Sequence, residues 1–296
     1  MTSLSKASER RIGRVVTLAA PQPGFVGEGH EAVAVVAPGD YARTDPFILL
    51  MDDRLHLEAG RRVGDAHPHA GFETVTFVLE GSLRDRDEGT LDPGDMVWMT
   101  AGRGVIHNED VEAIGRTRIL QLWLKLPSDE RWAPPRIQAI KLESVPVVRG
   151  PGVEARVYSG RSGDASASTL NYTPTTILDV RLASGATFEQ DIPGSYNGFI
   201  YVVDGEIIEG AERAQVTSGQ VAWLADAPSR SDTVLHVTAA ARGSRFVLYA
   251  GERQGVPIVS HGPFIGESRA DLIRISNDYV RGRMPRVSQL PATPAR

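Results

Sequence analysis

With 296 residues, the chain is long enough for two compact units, each with a sizeable core. Its 41% hydrophobic and 23% charged residues, with 30 Gly and 19 Pro, describe a turn-rich globular protein and exclude a disordered or collagen-like architecture. The net charge of −5 offers no electrostatic footprint for direct nucleic-acid or anionic-membrane binding, and the absence of cysteine removes disulfides, thiolate metal sites and thiol nucleophiles, so that any metal must be held by His, Asp or Glu.

The first sixteen residues carry charges but no apolar core of a signal peptide, and no stretch approaches the roughly 18 apolar residues of a membrane span. This predicts a cytoplasmic protein; the basic Lys6, Arg10, Arg11 and Arg14 read as a solvated segment. From Asp45 to Leu126, short apolar runs alternate with Gly, Pro and Asp. Phe47 to Met51, Glu73 to Leu79, Asp95 to Met99 and Thr117 to Leu126 are strand signals, and Leu79-Glu80-Gly81, Asp92 to Asp95 and Ala101 to Gly104 are places where the chain can reverse. An antiparallel sandwich or barrel follows.

Residues 132–151 hold four prolines and suit a connection. The same grammar then returns, with strands at Thr176 to Leu182, Gly198 to Val203, Val221 to Leu224 and Ser244 to Gly251. Phe77 to Gly81 matches Tyr201 to Gly205, and Leu91 to Trp98 matches Val216 to Trp223, the mark of a duplicated β unit. Asp271 to Val280 has the apolar spacing of a short terminal helix. These readings give an all-β fold with an N-terminal unit over 1–135, a linker over 136–150, a C-terminal unit with its closing helix over 151–283, and a flexible tail over 284–296.

His67-Pro68-His69 and His107-Asn108-Glu109 carry the chemistry. Side chains at i and i+2 of a strand share a face, so His67 converges with His69, and His107 with Glu109. On facing strands of one barrel, three imidazoles and one carboxylate supply four ligands for one divalent metal and leave positions open for substrate or oxygen. His56, His236 and His261 have no partner at ligand spacing and read as structural or exposed. Arg103 reads as an exposed turn residue. Trp98, Trp123 and Phe77 suit either core packing or an aromatic pocket.

The runs His67 to Gly81, Pro93 to His107 and Gln121 to Pro127, extended more loosely by Asp45-Pro46-Phe47 and Gly262-Pro263-Phe264, resemble the signature of the pirin family within the cupin superfamily. The resemblance implies a bicupin of two tandem jelly-roll barrels, with one metal in the N-terminal barrel and none in the C-terminal one. That metal is usually iron, so Fe(II) is expected, with nickel, copper, manganese, cobalt or zinc as alternatives in purified protein. The implied ligands are His67, His69, His107 and Glu109, the set the spacing already brings together. Glu73, at the place where many cupins carry a fourth ligand, is kept as a group that could orient a ligand imidazole. Ala70 stands where many pirins have Arg, which removes a basic group expected near the pocket mouth.

Two roles follow from the resemblance. One is a quercetinase-type dioxygenase acting on a flavonol, or another enolisable aromatic compound, and O2, with Glu109 taking the hydroxyl proton. The other is a non-enzymatic, iron-dependent redox sensor that binds a transcription factor or metabolic enzyme. The paired barrels within one chain make a monomer the expected state.

Overall fold

The computed structural model describes residues 8–291 except 59, 88, 109–110 and 211–213. In the strand Phe72–Asp85, every residue from Phe72 to Leu79 is buried, as in a strand covered on both faces. This strand pairs antiparallel with Met96–Thr100 on one side and Val111–Lys125 on the other. The sheet continues through Phe47–Leu55 and His30–Val36 and has nine strands in all. A separate two-stranded ladder, Ala66–His69 against Val105–Asn108, carries the histidines.

The second unit repeats the plan in a ten-stranded sheet whose path runs through Thr175–Leu182, Thr233–Glu252 and Tyr196–Glu209. Its interior is an apolar cluster that includes Leu178, Ile200, Leu224, Leu235, Phe246 and Leu248. Fork-to-fork ion pairs underline the duplication. Arg118 grips buried Asp52 at 2.9 and 2.8 Å, and Arg245 grips buried Asp179 at 2.9 and 3.1 Å, with the same 66-residue separation. Each pair joins neighbouring strands of its own sheet.

The structure differs from the expected boundaries in three places. The presumed linker is largely strand, because Arg136–Ile140 pairs with Met96–Thr100 and Val147–Gly150 pairs with Val153–Ser159. Its prolines flank these strands, where no ladder hydrogen bond is lost. The units are also interleaved along the chain. One comprises 19–144, 170–173 and 254 onward, and the other comprises the chain up to 18, 145–169 and 174–253. The closing helix, Arg269–Val280, therefore belongs with the first barrel, and the N-terminal strand Ile12–Thr17 pairs in the second. Finally, the described part of the expected flexible tail is packed: Met284 and Val287 are buried, and the Ile106 N–H donates to the Pro285 carbonyl at 2.8 Å. That backbone bond and the apolar cover over Met99, Ala101 and Val105 offset the cost of ordering the segment.

Gly81 and Gly205 do not reverse the chain. Both adopt positive φ, 65° and 76°, inside long strands at register shifts in the pairing, so they act as bulges that bend the strand.

Candidate metal centre

The antiparallel register of the small ladder sets His107 opposite His67, and Val105 opposite His69. The i, i+2 parity then brings His69 to the same face. One ligand atom from each of the three imidazoles lies within 4.8 Å of the others. Ring centroids are 4.5 Å apart for His67 and His69, and 5.7 and 5.9 Å from these to His107. Among the described residues, no other group of His, Asp or Glu side chains comes together in this way. Glu109, the fourth ligand and the base expected from sequence, lies outside the described residues.

The donor set fits a divalent metal. The Nδ1 of His67 is 2.8 Å from the Asp65 carbonyl oxygen. A carbonyl can only accept, so this nitrogen carries the proton and Nε2 keeps its lone pair, the arrangement that orients a ligating imidazole. His69 is buried, and its Nδ1 has no hydrogen-bond partner among the described residues. Burial, reinforced by His67 and His107, holds its pKa well below the usual histidine range, so the ring is neutral, as a metal ligand must be. Trp123, 5.5 Å away, and Phe72, 5.3 Å away, meet the His69 ring edge-on and fix its orientation.

His67 and His69 face a cavity of about 900 Å³, whose wall also includes Leu49, Met51, Trp123 and Gln121. A space of that size takes a multi-ring organic molecule. Phe25, 79% exposed, stands at its rim. Of the aromatic residues singled out from sequence, Trp123 lines the cavity; Trp98 and Phe77 are fully buried in the core.

Glu73 does not orient an imidazole among the described residues. Its carboxyl accepts from the Thr100 hydroxyl at 2.7 Å and from the backbone N–H groups of Tyr172 and Thr173 at 3.3 to 3.4 Å. Glu73 lies on the nine-stranded sheet, directly across from Thr100, whereas the histidines ride on the separate ladder. Ala70 is also displaced from its expected setting. It is buried with Phe264, Ile275 and Met284 and is not among the residues that line the cavity. Arg103 is exposed, and His236 pairs on the surface with Glu189 at 3.3 Å.

Sequence reading overlooked a buried polar pair, His30 and Asp53, of which Asp53 lines this cavity. Nε2 of His30 lies 2.8 Å from Oδ1 of Asp53, with side chains 2% and 10% exposed. The two sit on adjacent strands, and His30 has no motif to mark it.

Two cupin domains, one with a clustered imidazole triad opening onto a cavity, define a bicupin with a candidate metal centre. Comparison with known proteins is specific: the Pirin family model matches residues 31–124, and the model described as the pirin C-terminal cupin domain matches 177–285. Pirin-like protein 2 of Arabidopsis thaliana is 33% identical over 265 residues, covering 87% of this chain and 81% of its own. A pirin-like protein of Caulobacter vibrioides is 33% identical over 279 residues, covering 91% and 98%. Among solved structures, a quercetin 2,3-dioxygenase from Acinetobacter baumannii superposes with a TM-score of 0.78 at 26% identity, covering 93% of this chain and 98% of that one. The chain belongs to the pirin family.

Proposed function

We propose that this protein is a metal-dependent dioxygenase of the quercetinase type, opening the central ring of a flavonol with O2. The carrying observation is the imidazole triad, two of whose members, His67 and His69, line a cavity large enough for such a molecule. The solved quercetin 2,3-dioxygenase of the same fold supports this choice of substrate class. In this reading His67, His69, His107 and Glu109 hold one metal, expected to be Fe(II). When bound, it supplies a Lewis acid for adjacent hydroxyl and carbonyl oxygens and a site for dioxygen chemistry.

The protein's own groups do the rest. The apolar part of the wall, with Leu49, Met51 and Trp123, and Phe25 at the rim, offers contacts for an aromatic ring system. His67, braced by the Asp65 carbonyl, presents Nε2 in one orientation. In this reading Glu109, the carboxylate expected from its sequence spacing to His107, takes the proton of the flavonol hydroxyl.

The test is oxygen uptake and loss of flavonol absorbance with quercetin, on protein reconstituted anaerobically with ferrous iron, beside His69→Ala with metal content measured in both. Turnover that disappears with the metal is expected. Full iron occupancy without turnover would overturn the reading and turn attention to protein partners.

A further inference from the structure

We propose that Asp53, held in place by His30, is a substrate-recognition residue of this cavity: it accepts a hydrogen bond from a neutral hydroxyl of the ligand and discriminates against anions. The inference rests on the cavity being the place where substrate binds.

His30 has both ring nitrogens engaged. Nε2 contacts Asp53 Oδ1 at 2.8 Å, and Nδ1 accepts from the Val26 backbone N–H at 3.4 Å. A nitrogen that accepts from an N–H carries no proton, so the proton sits on Nε2 and is donated to Asp53. The imidazole is thus a brace that has no remaining donor for a ligand. The surroundings fix it further: Phe25 packs edge-on at 5.3 Å, and a Cβ at Gly24 would lie 2.2 Å from the His30 ring, so only glycine lets the backbone pass so close.

Asp53 is different. Its side chain is nine-tenths buried, its Oδ1 is taken by His30, and its Oδ2 has no hydrogen-bond partner among the described residues. The residue lines both the main cavity and a smaller adjoining one. A carboxylate whose geometry is set by one partner, with its second oxygen left for a donor arriving through the cavity, is a recognition element; a pair that only stapled two strands would have no need to face this space. The charge of the wall points the same way. The described residues around the main cavity include two aspartates, Asp53 and Asp65, and no lysine or arginine. At the Asp53 side of the cavity a ligand carboxylate or phosphate would meet repulsion, whereas a phenolic or enolic hydroxyl would donate to Asp53 in a partly desolvated setting.

Resorcinol and benzoate, rings of similar size with a neutral donor or a negative charge, test this by calorimetric titration of the full-length protein. Wild type is expected to prefer resorcinol. Asp53→Asn should weaken resorcinol about tenfold, the value of a hydrogen bond to a charged group, and tighten benzoate. His30→Gln, whose amide keeps a donor for Asp53, should retain the preference, and His30→Leu should lose part of it with metal content unchanged. The two His30 variants also give the answer if Asp53→Asn does not fold. Equal binding of both probes by wild type, or a preference that neither Asp53→Asn nor His30→Leu alters, overturns the inference. Flavonol oxygenation is read separately: discrimination between the probes without oxygen uptake on quercetin leaves Asp53 as assigned and removes the proposed reaction.

Discussion

Glu73 shows what complete burial does to a carboxyl group whose partners are neutral. Desolvation raises its pKa, and the hydrogen bonds from Thr100, Trp98 and the backbone of Thr173 and Tyr172 offset only part of that rise. A carboxyl with a folded-state pKa above its unfolded value, near 4.3, stabilises the fold fully below that value and loses the contribution as pH climbs through the folded pKa. Glu73→Gln keeps the shape and removes the titration. Chemical denaturation at a series of pH values should therefore show the variant gaining on wild type as pH rises from about 4, then running parallel above the folded pKa. Parallel curves throughout would mean that Glu73 does not titrate differently on folding. Gly24 makes a steric prediction of the same local kind. Its would-be Cβ meets a ring that cannot swing away, because Asp53 and Val26 hold both nitrogens. Gly24→Ala should cost about 1–3 kcal/mol, the usual penalty of overpacking, read as a lower denaturation midpoint.

At the scale of elements, the C-terminal segment is fastened to the first barrel by a buried cation. Lys125 Nζ, 1% exposed, donates to Glu267 Oε1 at 3.0 Å and to the Leu126 carbonyl at 2.7 Å. Burial lowers the Lys125 pKa, opposed by the hydrogen bond and attraction of Glu267. Lys125→Met leaves Glu267 in place without its closest cation and should destabilise the protein by about 3–5 kcal/mol, whereas Lys125→Met with Glu267→Gln should recover part of the loss. A thermal melt that the single variant leaves unmoved would remove the fastening role. The strand carrying Lys125 was legible in its apolar run, and the meeting of His67 with His69 was legible because strand parity makes i and i+2 converge whatever the wider topology. His30 and Asp53 were not, because their meeting depends on the register between the strands His30–Val36 and Phe47–Leu55, which no local pattern encodes. Gly81 misled for a related reason: a hairpin turn and a bulge both ask for positive φ, and only pairing on either side tells them apart.

At the scale of the whole chain, the duplicated grammar suggests two units laid end to end, yet the strand Ile12–Thr17 pairs in the second unit and the C-terminal segment belongs with the first. The first barrel takes residues 170–173 and the chain from 254 onward, and the contacts they make there are specific. Tyr172 and Thr173 donate to Glu73, and the Thr173 hydroxyl donates to the Lys125 carbonyl at 2.6 Å. Ile265 passes Gly71 so closely that a Cβ on Gly71 would lie 1.9 Å from its carbonyl oxygen, and Phe264 covers Ala70 beside the metal-ligand strand. A fragment of residues 1–150 contains every histidine of the triad but none of this cover. It takes the Tyr172 and Thr173 backbone donors from the buried Glu73 carboxyl, takes Glu267 from Lys125 and exposes the apolar faces of Ala70, Phe72 and Val105, a combination of under-satisfied polar groups and open hydrophobic surface that a marginally stable domain cannot absorb. The fragment should therefore bind a hydrophobic dye and melt without a cooperative transition, and should regain a sharp transition when the remaining chain, 151–296, is supplied in trans. A monomeric 1–150 fragment with a cooperative melt of its own would show instead that the first barrel carries its stability within the N-terminal half, and that the returning C-terminal segment only decorates it.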